Sequence, residues 1–116
     1  MNLVVIEKNL TKKDLNKARK DYRFYIKITV DIDQKIVVIG GEYHADAEKL
    51  LHQRYGSSQR NIWGGGFNLK TKKFETIALI NIKPGINTSM EIIDSRLREA
   101  FLGLVRDKLK KIKDLI

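Results

Sequence analysis

The sequence predicts an α+β fold: a mostly antiparallel sheet of about five strands packed by three helices, in the order β-α-β-β-α-β-β-α. Three observations carry this expectation. Residues 24–33 alternate strictly, with Phe24, Ile26, Ile28, Val30 and Ile32 on one side and Tyr25, Lys27, Thr29, Asp31 and Asp33 on the other, the pattern of a half-buried strand. Lys35–Ile39 follows as a short β-branched run suited to a central strand. Ala45–Tyr55 and the chain after Asp94 instead repeat apolar residues at helical spacing.

Taken in order, Leu3–Ile6 is a short buried strand. Thr11 then caps a helix running to about Asp21, with Asp14 three residues on in the place of the usual Glu or Gln. Leu10 and Leu15 are spaced as its hydrophobic staple. Asp33-Gln34 turns the chain between the next two strands, and Gly40-Gly41 closes the second. Gly56 stops the helix that places Ala47, Leu50, Leu51 and Tyr55 on one side. Ser57–Arg60 reads as loop. Asn61-Ile62-Trp63 starts a strand expected to lose its regularity at Gly64-Gly65-Gly66, in a bulge or mobile loop. Lys70–Lys73 is a basic turn, and Phe74–Ile82 a strong strand ended by Pro84-Gly85. Asp94 caps the last helix, whose apolar positions 97, 101, 104, 105, 109, 112 and 116 predict a continuous run to the end.

No repeat, low-complexity run or linker interrupts the 116 residues, so 1–116 is read as a single domain. A composition that is 42% apolar and 32% charged is that of an ordinary soluble protein. There is no cysteine, which excludes disulfides, thiolate metal sites and a Cys nucleophile; a reducing cytoplasm is the expected home. The first apolar run, Leu3–Ile6, is too short for a signal-peptide core, and no segment is long enough to span a bilayer, so no membrane is expected as partner.

The net charge is +9 and unevenly spread: +5 over residues 1–30, −1 over 31–69 and +5 over 70–116. Basic flanks concentrate polyanions by long-range attraction. Lys12, Lys13, Lys17, Arg19 and Lys20 of the first helix, with Arg106 and Lys110 of the last, are the candidate nucleic-acid contacts. A solubilising surface explains the same charge, and no known nucleic-acid module is present.

The most concentrated polar chemistry is Gly40-Gly41-Glu42-Tyr43-His44-Ala45-Asp46-Ala47-Glu48. Asp46 and Glu48 have a sufficient structural reason in the first turn of a helix, whose N-terminus favours carboxylates. The same charges disfavour a bound phosphate there. His44 with Glu42, Asp46 or Glu48 can form an acid–base pair, and these four are the catalytic candidates. His44, Glu48 and His52 share a helix face, but their spacing matches no recognised metal motif, so no residue is assigned to a metal. Asn81, Asn87 and Ser89, on the polar chain leaving the Phe74–Ile82 segment, are candidate ligand contacts, though Asn and Ser serve turns equally well. Trp63 is a candidate stacking surface or a core residue.

These residues resemble an uncharacterised family of small bacterial proteins, a domain of unknown function. The resemblance rests on Val30-Asp31-Ile32, on Gly40-Gly41-Glu42 with His44–Glu48, and on Leu50-Leu51, Gly56-Ser57, Gln59 and Trp63-Gly64. It continues through Leu79–Pro84, Asn87, Ser89, Glu91 and Asp94, covering the central three-fifths of the chain. Three glycines stand at 64–66 where the resemblance implies one, and Ser95 stands where it implies proline. It implies no activity. The leading expectation is a soluble binding protein engaging a polyanion such as RNA or DNA. The alternatives are a hydrolase-type enzyme with an acid–base or metal site around His44 and a subunit that docks a protein through an exposed apolar face. No cofactor, substrate or oligomeric state is indicated.

Overall fold

The computed structural model describes residues 1–116. Five strands, β1 (Leu3–Ile6), β2 (Tyr25–Asp31), β3 (Ile36–Gly40), β4 (Ile62–Asn68) and β5 (Lys73–Glu75), form one sheet in the order β1-β3-β2-β4-β5. Every pairing is antiparallel. Helix α1 (Lys12–Ala18) follows β1, and α2 (His44–Tyr55) joins β3 to β4. The chain closes with α3 (Ser95–Lys108) and the short α4 (Ile112–Leu115). The fold is therefore α+β. No helix is long and apolar enough to cross a membrane.

The helix signals act as the sequence predicts. Thr11 and Asp14 form a reciprocal capping box at 3.1 Å in both directions, and Asp94 accepts from the backbone N–H groups of Arg96 and Leu97. Gly56 ends α2 in the left-handed region at φ 65°.

The helices cover both faces of the sheet. Ile26, Ile28 and Val30 of β2 pack with Trp63 and Phe67 of β4 against α1, α3 and α4. On the opposite face Val38 and Ile62 pack against Ala47 and Leu51 of α2. The alternation in β2 holds, but its polar face is not solvated: Thr29 and Asp31 are buried beside Ile28 and Val30. Asp31 accepts from the backbone N–H and the side-chain amide of Gln34, so its carboxylate closes the β2–β3 turn.

Three expectations fail for physical reasons. The glycines are not a bulge; β4 runs straight through Gly64, Gly65 and Gly66 in unbroken register with β2. A Cβ on Gly64 would lie 2.7 Å from Ala78 Cβ and 2.9 Å from His44 Cδ2, while one on Gly65 would lie 2.1 Å from Glu75 O and 2.8 Å from Phe101 Cζ. A Cβ on Gly66 would collide with the Tyr25 ring. The strand lacks side chains because the covering layers and the neighbouring strands β2 and β5 leave no room for them. The predicted strand Phe74–Ile82 shrinks to the end of β5: beyond Glu75 the chain leaves the sheet and makes one 3-10 turn at Leu79–Asn81. Ile77, Leu79 and Ile82, counted as part of that strand, are 48%, 70% and 45% exposed. Finally, the last helix breaks at Leu109, although Phe101, Val105, Leu109 and Ile112 all stay buried in the core.

Candidate functional site

His44 is the first residue of α2, and its ring lies against β4 where Gly64 leaves space. Its Nε2 is 2.7 Å from Gly65 O. A carbonyl only accepts, so Nε2 carries the proton and Nδ1 keeps a free lone pair. Burial lowers the imidazole from its usual 6.5 to about 4; the Gly65 bond opposes this and Lys27 adds to it. The ring is therefore neutral at physiological pH. The His-Ala-Asp-Ala-Glu block and the glycine run, separate in sequence, are thus one feature in space.

A groove of about 400 Å³ opens beside this ring, lined among others by Tyr25, Lys27, Tyr43, Ile77, Leu79 and Met90. Burial, and then the neighbouring Glu75 carboxylate, push the Tyr25 phenol up, so it stays protonated. The groove is apolar apart from these few groups.

The four catalytic candidates diverge. His44 is bonded to a carbonyl rather than to any carboxylate. Glu42 is exposed, and its backbone carbonyl accepts from the Tyr22 hydroxyl. Asp46 lines a different groove, with Lys17 and Lys49, beside β1. Glu48 acts on Lys83 through its charge, and its buried Oε2 has no hydrogen-bond partner. His52 is the C-terminal counterpart of His44, its Nδ1 placed 3.1 Å from Ser57 O.

The ligand-contact candidates sit close to His44 but are engaged with backbone. Asn81 is completely buried. Its Oδ1 accepts from Gly64 N–H at 2.8 Å and its Nδ2 donates to Gly64 O at 2.9 Å, completing the edge of β4 that β5 does not reach. The same Nδ2 donates to Met90 O at 2.9 Å and shares Thr76 O at 3.2 Å. Asn87 works alike, donating to the carbonyls of Asn81, Ser89 and Glu91 and accepting from Ile93 N–H. Ser89 Oγ accepts from Glu91 N–H. Trp63 is a core residue at 2% exposure, and Lys83 Nζ stands 4.9 Å from its ring centroid.

Lys83 carries no signal in the sequence that sets it apart from the other lysines. It is 5% exposed, donates to Ile80 O at 3.1 Å, and burial pulls its ammonium down while Glu48 opposes the shift. Cation–π contact with Trp63 compensates part of that desolvation.

The nucleic-acid candidates fall into two places. Arg106 and Lys110 line a groove of about 530 Å³ with Lys72, Lys73 and Lys113, which are not among the nucleic-acid candidates of the sequence. Lys13, Lys17 and Lys20 line another, beside Val4 of β1. Lys12 is tied to α4 through the Leu115 carbonyl at 2.5 Å, and Arg19 is the C-cap of α1.

A family model described as a protein of unknown function (DUF5674) matches residues 4–108. The chain belongs to the DUF5674 family. The match is wider than the resemblance read from the central motifs, since it takes in α1 and all of α3. No curated protein and no solved structure matches this DUF5674 chain.

Proposed function

We infer that this protein binds a polyanion, with single-stranded nucleic acid as the favoured class, in the groove between the β4–β5 turn and the C-terminal helices. The observation that carries this is the lining: Lys72, Lys73, Arg106, Lys110 and Lys113 converge there with no carboxylate among the lining residues. Like charges brought together without counter-charge are costly for the folded state and useful for an anionic ligand. Phe74 adds an aromatic ring to the same groove, a surface on which a base can stack.

The test is a fluorescence-anisotropy titration with a labelled single-stranded oligonucleotide across a range of salt. Micromolar affinity at low salt is expected, falling linearly on a log–log plot with a slope of about −0.7 per phosphate neutralised. Arg106→Glu with Lys110→Glu should weaken binding about 30-fold or more, because two attractions become repulsions. Unchanged affinity in that variant defeats the proposal.

A second reading has its own observation. Tyr43, Ile77, Leu79 and Met90 form an exposed apolar surface around the His44 groove, as a docking site for a protein with an apolar contact face requires. The hydrolytic alternative has less support: His44 offers one neutral base with no carboxylate bonded to its ring.

A further inference from the structure

The outer edge of the sheet at β1 is open. β1 pairs with β3 on one side only. In an antiparallel ladder alternate residues direct N–H and C=O outward, so half of the backbone groups of this four-residue strand face away from β3. No hydrogen bond from elsewhere in the chain reaches the backbone of Leu3–Ile6. The strand is wholly aliphatic, and Leu3, Val4 and Val5 are only partly buried. Such an edge is a template for another strand unless something blocks it.

The blocking device here is charge, placed beside the strand rather than in it. Lys13, Lys17 and Lys20 line the groove on the α1 side of β1. Lys49 and Arg54 line the groove on the α2 side, and Lys17 borders both. The acids among these linings are Asp14, already engaged in the α1 capping box, and Asp46. A second copy pairing β1 to β1 would bring two such cationic rims within about one Debye length, ~10 Å, and be repelled. An extended segment with acidic side chains meets the opposite field. We propose that β1 accepts an extended acidic peptide segment of a partner protein as a sixth, edge-added strand. Main-chain hydrogen bonds to Leu3–Ile6 supply the adhesion, and carboxylates pointing to alternate faces meet Lys13, Lys17 and Lys20 on one side and Lys49 and Arg54 on the other. This site stands apart from the Arg106–Lys110 groove and does not depend on what that groove binds.

The test uses the full chain and two labelled, end-blocked peptides of about eight residues with the repeat Asp-Asp-Val-Val, which in an extended strand puts carboxylates on both faces. One is unmodified; the other carries N-methyl groups on alternate residues, which leaves its charge intact and removes the N–H groups of one edge. The unmodified peptide should bind about ten-fold more tightly or better than the methylated one. Lys13→Glu, Lys17→Glu and Lys20→Glu together should weaken it by about ten-fold or more, all three side chains being exposed and their exchange harmless to the core. Arg106→Glu with Lys110→Glu should leave it unchanged, which separates this site from the polyanion groove. Equal binding of the two peptides overturns the proposal, because charge alone then explains it. So does no binding, displacement of the peptide by an oligonucleotide as readily as by unlabelled peptide, or a wild-type dimer whose formation blocks the peptide.

Discussion

The two faces of this sheet solve the same packing problem with opposite surface chemistry. On one, α1, α3 and α4 cover an aliphatic and aromatic core, and their segments, residues 7–23 and 94–116, carry net charges of +4 and +3 out of the total of +9. On the other, α2 and the 76–93 excursion are held by buried amides and a neutral imidazole, and residues 42–60 and 76–93 are each electrically balanced. The first face is apolar inside and charged outside. The second spends its polar groups inside and leaves isoleucine, leucine and methionine outside. Apolar residues on a surface therefore do not mark a failed core here; they follow from using Asn81 and Asn87 as the internal supports.

The sharpest way to break that contrast is to remove the support. Asn81→Ala orphans both backbone groups of Gly64 and should cost about 4 kcal/mol or more, seen as a lower denaturant midpoint; Asn81→Leu should do no better despite its matching size. A loss below about 1 kcal/mol would show that the excursion does not depend on the amide.

Next in size is the acid limb of stability. The folded His44 sits near 4 against about 6.5 unfolded, so the unfolded chain takes up the proton first. Stability should fall as pH drops through 6.5 and level off below about 4, a loss on the order of 3 kcal/mol. His44→Gln, which keeps a donor toward Gly65 O, should flatten this window. The same slope in wild type and variant would place the titrating group elsewhere.

The charged face should respond to salt rather than to pH. Arg106→Gln with Lys110→Gln should lower the magnitude of the salt slope of oligonucleotide binding by roughly 1.4 while changing the melting temperature little. Smallest of all, Leu79→Ser should shift stability by no more than about 0.5 kcal/mol, since Leu79 is 70% exposed. A larger loss would mean that this apolar surface already packs on something.

The legible parts of the fold are those decided within a few residues. Thr11 and Asp14, Asp94, Gly56 and the period-two pattern of β2 each announce their role locally. The illegible parts depend on distant neighbours. Nothing near Gly64–Gly66 tells that His44, Tyr25 and Phe101 will crowd it, so the run reads as a break. The apolar run from Phe74 to Ile82 imitates a strand because composition does not say which way a chain turns once Asn81 takes over the hydrogen bonding. The candidate site divides the same way: His44 is conspicuous by type, whereas Lys83 looks like any surface lysine until Trp63 and Glu48 are placed around it. The basic flanks were visible as charge, but their division into two grooves is a product of topology.

Gly65 has one more consequence. Its carbonyl faces the His44 ring, and its Cα leaves Phe101 in contact from the opposite layer. At this residue the wall between the two halves of the protein is one peptide thick, with no side chain to cushion it. The same residue thus joins the two layers directly: the imidazole bonds its carbonyl, and the Phe101 ring of α3 occupies the space a side chain would need.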